Sequence, residues 1–186
     1  MNRRSVGTAV LTVVAIVAAA LIWHHLPTPS DIYAPFDVHA GINTAAVGEN
    51  LSVTVTGGGI APTVVKPPST KQIGAAGTWL MVATSLTSKT APVLPRAELL
   101  VGPNTYAPTD RLLSTNALVQ PDLTLRCAWI FDVPVDVLSS VKSVVLQVWG
   151  GDERLDSRLV IDIPLGDASI TRPQSLVVPP AETVSQ

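Results

Sequence analysis

LTLRCAWIFDV, residues 123–133, sets Leu123, Leu125, Cys127, Trp129, Phe131 and Val133 at every second position, against a more polar set that includes Thr124, Arg126 and Asp132. Side chains of an extended chain point alternately to opposite faces, so this pattern predicts a strand with one face in a core. The same period recurs on both sides of it. Upstream, Leu51, Val53 and Val55 alternate with Ser52, Thr54 and Thr56. Downstream come Val144, Leu146 and Val148, then Leu155, Ser157, Leu159, Ile161 and Ile163 opposed by Asp156, Arg158 and Asp162. Gly150-Gly151-Asp152-Glu153-Arg154 lies between these two, and its glycines can supply the positive φ of a tight reversal, so the pair is expected to form a hairpin.

The run TWLMVATSL, residues 78–86, is apolar enough for a central strand buried on both faces. Weaker strands are expected at 36–40, 63–65 and 98–101, and one helical turn at 135–141; residues 112–119 fit no period. None of the sixteen prolines precedes Pro27, and no long stretch beyond it shows an i, i+3, i+4 apolar repeat. Helix is therefore disfavoured over most of the chain. The expected fold class is all-β, an immunoglobulin-like β-sandwich of about seven strands preceded by one N-terminal transmembrane helix.

That helix is read from residues 5–23, which carry no charge and are about long enough to cross a hydrocarbon core of roughly 30 Å. Arg3 and Arg4 stand before it, Trp23, His24 and His25 behind it. Positive flanks stay cytoplasmic, which places everything after Trp23 outside. The competing reading is a signal peptide cleaved by the small-x-small rule at Ala18 and Ala20, although Leu21, Ile22 and Trp23 extend the apolar run past that point. The expected organisation is a cytoplasmic stub (1–4), an anchor or uncleaved signal (5–23), a stalk (24–34), the sandwich (35–165) and a flexible proline-containing tail (166–186). The location is the plasma membrane, single-pass, or a secreted form after cleavage.

Of the 186 residues 47% are hydrophobic and 14% charged, with a net charge of -2 and no basic block beyond Arg4. Nucleic acid is not an expected partner, because phosphate recognition needs concentrated positive charge. The single Cys127 cannot form an internal disulfide.

Candidate chemistry is sparse. Of the three histidines only His39 lies where it could join a folded site, and there is no G-x-S-x-G elbow for a nucleophile. His24, His25, Asp37 and His39 make a poor metal set, because adjacent histidines point away from one another on a helix or a strand. Gly57-Gly58-Gly59 lacks the lysine and Ser/Thr of a phosphate loop and reads as a flexible loop. Cys127 shares the apolar face of its strand and should be unreactive. Asp152-Glu153 at a hairpin tip lacks the desolvation that raises a carboxyl pKa. Asn50-Leu51-Ser52 is a glycosylation triplet of a kind common by chance. No catalytic, cofactor-binding or metal-ligating residue is therefore expected, and no cofactor. The segment 56–71 (TGGGIAPTVVKPPSTK) is expected to break the sheet and offer Ile60, Val64 and Val65 for contact, with plain packing on the sandwich as the alternative.

Phe36-Asp37-Val38, Gly77-Thr78-Trp79-Leu80-Met81-Val82, Leu86-Thr87, Tyr106 and Phe131-Asp132-Val133-Pro134 follow one another in an order that resembles the telokin-like immunoglobulin-fold domains of bacterial, often actinobacterial, anchored extracytoplasmic proteins. The resemblance spans about residues 35–165. It departs from the family where Thr87-Ser88 replaces the usual Asn and in lacking a lipid-attachment cysteine. It implies a fold and a location and no chemistry. The function expected is a membrane-anchored, extracytoplasmic, non-catalytic binding or assembly module serving a protein partner in the envelope. The alternatives are a carrier of a lipid or other apolar ligand, which needs a cavity of about 300 Å³ or more, and a cell-envelope hydrolase.

Overall fold

The computed structural model describes residues 12–21, 23, 36–112, 117–151 and 157–185. The chain divides into two compact units, Met1–Ala34 and Pro35–Gln186. In the first, residues 12–21 and 23 are helical, and Val13, Val14, Ile16, Val17 and Leu21 are each more than half exposed. Among the described residues no helix is long and apolar enough to cross a membrane. Arg3, Arg4, Ile22, His24, His25 and the stalk lie outside the described residues, as does the start of the expected span.

The second unit is a sandwich of two sheets. One sheet contains β1 (Phe36–Gly41), β9 (Ser157–Pro164), β8 (Ser143–Gly150), β5 (Pro95–Val101) and β6 (Asn104–Tyr106), in that spatial order. The other runs β10 (Ile170–Thr171), β3 (Leu51–Val65), β4 (Gln72–Ser88), β7 (Leu123–Val133) and β12 (Glu182–Ser185), with β2 (Ala46–Val47) and β11 (Ser175–Val177) also paired to β3. A short helix, α1 (Val135–Ser139), links β7 to β8. Seven strands have six or more residues, as the alternation predicts, and five shorter ones add to them.

The 123–133 reading holds. β7 lies between β4 and β12, and its register with β4 sets Leu125 against Leu86, Cys127 against Thr84, Trp129 against Val82 and Phe131 against Leu80. All of these except Thr84 belong to one core cluster, closed from the other sheet by Leu99, Leu146, Leu159 and Ile161. β8 and β9 pair antiparallel as expected, Leu146 opposite Ile161. The tip with Asp152 and Glu153 lies outside the described residues, and Gly151, at φ +67°, takes the left-handed conformation anticipated for the turn.

β4 is central, but it is buried on both faces only over residues 78–80. Leu80 faces the space between the sheets, and Trp79 faces outward into a second cluster with Ala61, Val64, Leu112, Ile130, Leu176 and Val178. From Met81 onward the outward residues Met81, Ala83 and Ser85 are half-exposed. The Trp79 indole N–H donates to the Ile73 carbonyl at 2.9 Å, and the Arg111 guanidinium sits 5.4 Å from the ring centroid. Where β4 leaves β7, the Asp132 carboxylate accepts the Ala76 and Gly77 N–H groups, each at 2.9 Å. Two backbone donors that the ladder does not reach are thereby satisfied.

Two expectations are corrected. The segment 56–71 opens as a loop only at residues 66–71: β3 runs on to Val65, with bulges at Val55/Gly57 and Ala61/Thr63. Gly57 takes φ +151°, a conformation β-carbons disfavour, at the first bulge. A Cβ on Gly58 would run into the Met81 carbonyl oxygen, and one on Gly59 into the Leu176 side chain. These glycines are notches that let neighbouring chain approach, which is the other meaning of glycine inside a strand. The second correction concerns the tail: residues 166–186 are not loose. β10 and β11 add parallel to β3, and β12 adds antiparallel to β7. Each strand is too short to show alternation, and the prolines fall between strands. Leu176 and Val178 cap the outer cluster.

Candidate functional site

The residues singled out in the sequence are dispersed by the fold. His39 is exposed on β1, the outermost strand of its sheet. Cys127 is buried in the opposite sheet, with its sulfur 3.4 Å from the Thr84 hydroxyl. Burial pushes the thiol up to about 11, so at neutral pH it is protonated and a poor nucleophile. Ile60 and Val64 are buried and Val65 half-buried within β3. None of the three forms the exposed contact loop expected of them, because Ile60 packs between the sheets and Val64 in the outer cluster. Gly57, Gly58 and Gly59 lie within the same strand. Asn50 is engaged structurally: its Oδ1 accepts from Thr90 N–H, Thr90 hydroxyl and Ala91 N–H, and its amide donates to the Ala91 carbonyl. Among the described residues no group of three His, Cys, Asp or Glu side chains could hold a metal ion.

β1 carries the most exposed aromatic of the sandwich. Phe36, its first residue, is 82% exposed. β1 pairs parallel to β9 in a register that sets Asp37 against Arg158, and the two side chains form a bidentate ion pair at 2.7 and 2.8 Å. The Arg158 fork holds the Asp37 carboxyl below its ordinary value. Its contribution to stability is thus present above the titration range of a free carboxyl and is lost as pH falls through the lowered value. Among the described residues no strand pairs with the outer edge of β1.

A recess lies at the α1 end of the sandwich, a cavity of about 610 Å³. It is bounded by the crossover from β7 to β8 and the turn after β9. Ile60, Val135, Leu138, Val141 and Leu165 form its apolar wall, and Lys142 and Arg172 stand at its rim. The segments that carry the two cations are joined through one residue. Leu165 N–H donates to the Lys142 carbonyl at 2.9 Å, and Arg172 Nη2 donates to the Leu165 carbonyl at 3.2 Å. The sequence gives no sign of this arrangement, since the two residues are isolated cations on separate segments. A second recess, about 410 Å³, lies on the outer face of the other sheet between Arg126, Ser85 and the C-terminal Pro179-Pro180.

No family model and no curated protein matches the chain. Among solved structures it is similar to an uncharacterized beta-sandwich protein from Clostridium difficile 630, with 15% identity over 74% of this chain and 99% of that one and a TM-score of 0.48.

Proposed function

We propose that this chain is a membrane-tethered, extracytoplasmic, non-catalytic binding module whose edge strand β1 receives an extended segment of an envelope protein. The observation that carries the proposal is the outer edge of β1, with which no strand pairs among the described residues, and Phe36 82% exposed at its head. Sheet edges left open to solvent are usually blunted by charge, proline or a covering element. Here the carboxylate of β1 is held by Arg158 on the neighbouring strand, which leaves the edge without a free acidic guard. An added strand would draw affinity from main-chain hydrogen bonds and selectivity from the side chains around it. The tether rests on residues 5–23 and on the arginines before them, and those charges favour an outside location for the domain.

The test is made in intact cells. External protease is expected to remove the sandwich from membrane-sedimenting protein. A photoreactive residue at position 36 or 39 is expected to give one defined protein adduct, and the same probe at Thr105, on the opposite edge of that sheet, none. Phe36→Asp should weaken the His39 adduct while the circular dichroism stays unchanged. A domain shielded from protease would refute the location. Equal adducts from Thr105, or none from β1, would refute the edge as the contact.

A further inference from the structure

We propose that the cavity at the α1 end of the sandwich binds a small amphiphilic anion, a carboxylate or phosphate monoester carrying a short apolar body. This site is independent of the β1 edge, which lies on a different part of the sandwich. Its volume, about 610 Å³, falls within the range of about 300–1,000 Å³ typical of small-molecule sites, and its make-up matches theirs, a mostly apolar wall with a few convergent polar groups.

Charge complementarity identifies the ligand. Lys142 and Arg172 stand at the rim, and no Asp or Glu lines the cavity. Neither cation makes an ion pair among the described residues. Four other cations of the sandwich are engaged elsewhere, Arg158 with Asp37, Lys66 with the Leu112 carbonyl, Lys89 with the Gly48 carbonyl and Arg111 over Trp79, whereas Lys71, Arg96 and Arg126 also make no ion pair among the described residues; what sets Lys142 and Arg172 apart is that they line one recess together. In a chain of net charge -2, two uncompensated positive charges over one apolar recess form a local reversal of sign. The guanidinium uses one donor on the Leu165 carbonyl, which leaves others of its five for an acceptor, and its planar fork suits the oxygens of a carboxylate or phosphate. The main chain of Lys142 is fixed at the same recess by the bond from Leu165 N–H to its carbonyl, and its side chain lines the recess with Arg172. The backbone of one buried residue thus holds the Arg172 guanidinium and anchors the segment that carries Lys142, beside a wall that includes Leu138, Val141 and Leu165 itself. An anion at the rim places its apolar body against that wall, and a purely apolar or purely ionic ligand would use half of the site.

The full-length chain in lipid nanodiscs, with labelled methyl groups, is titrated with hexanoate, hexyl phosphate, hexanol and inorganic phosphate. Hexanoate, hexyl phosphate or both are expected to give saturable shifts at the Leu138, Val141 and Leu165 methyls, and their relative affinities identify the preferred headgroup. Hexanol and inorganic phosphate should bind at least about ten-fold more weakly, a difference of about 1.4 kcal/mol. Lys142→Gln with Arg172→Gln should weaken the anionic amphiphile by at least the same factor, and Lys142→Gln alone, at an exposed side chain, by a smaller one. Saturation by hexanol or by inorganic phosphate as tight as by the amphiphiles would overturn the assignment. So would the absence of saturable shifts, or affinities that neither variant changes in a protein with an unaltered methyl spectrum.

Discussion

Trp129→Ala lowers the free energy of unfolding by about 3–5 kcal/mol, the range for removing a large aromatic from a core. The side chain is 4% exposed, stands opposite Val82 in the register of β7 and β4, and packs in the cluster between the sheets. Against a total stability of about 5–15 kcal/mol for a domain, that is a large share. The Trp129 indole N–H is buried with no acceptor among the described residues, and an unmade hydrogen bond of this kind costs about 1–3 kcal/mol. Trp129→Phe removes the orphaned donor and keeps most of the ring, so it should cost much less than Ala. Urea denaturation followed by circular dichroism measures both. A loss near zero for Ala, with the indole quenched by acrylamide in the native protein, would show that the faces of β7 are reversed.

Ending the chain after Thr171 is expected to destabilise the sandwich by about 3–6 kcal/mol, from the burial lost with Leu176 and Val178 at roughly 1.5–3 kcal/mol each. These two side chains are 4% and 2% exposed. They cover Trp79, Ile130 and Val64, which face away from the space between the sheets and have no other sheet to meet. Removal of β11 also frees the edge of β3 from Thr63 to Val65. If the shortened chain does not fold, Leu176→Ala in the full chain tests the same cover, with an expected cost of about 2–5 kcal/mol. The measurements are the urea midpoint and quenching of the Trp79 emission. An unchanged midpoint for both variants would mean that the C-terminal strands lie on the sheet without stabilising it.

The main sandwich was legible in the sequence because its strands are long and keep polar residues along part of one face, so the period of two survives in the residues. β7, the first half of β3 and the β8–β9 hairpin are cases of this. Legibility failed where one residue does two jobs. Gly58 and Gly59 carry the composition of a loop, yet they are glycines because a β-carbon would strike the Met81 carbonyl or the Leu176 side chain. The C-terminal strands escaped notice because two to four residues cannot display an alternation, and their partners lie far away in sequence. Ile130 and Trp79 interrupt the pattern of their strands for the same reason, since the cover that buries them arrives more than forty residues later. Of the sites, the inertness of Cys127 followed from its position on an apolar face. The placing of Lys142 and Arg172 along one recess depends on the backbone bonds of Leu165, which residue types do not announce.

The parallel pairings at the two ends of the sandwich bear on how the protein is made. Asp37 finds Arg158 across 121 positions of chain, and Thr63 finds the Gln174 carbonyl across 111. Neither the first strand nor the third can complete its hydrogen bonding until almost the whole polypeptide has emerged from the ribosome. Contacts so distant in sequence are paid for in loop-closure entropy before they return anything, and folds rich in them form in milliseconds to seconds rather than microseconds. The antiparallel ladder of β3, β4 and β7 joins strands that lie nearer one another along the chain and can form early. The parallel pairings of β1 with β9 and of β3 with β11 close last, so the apolar residues that Leu176 covers stay open to water until then.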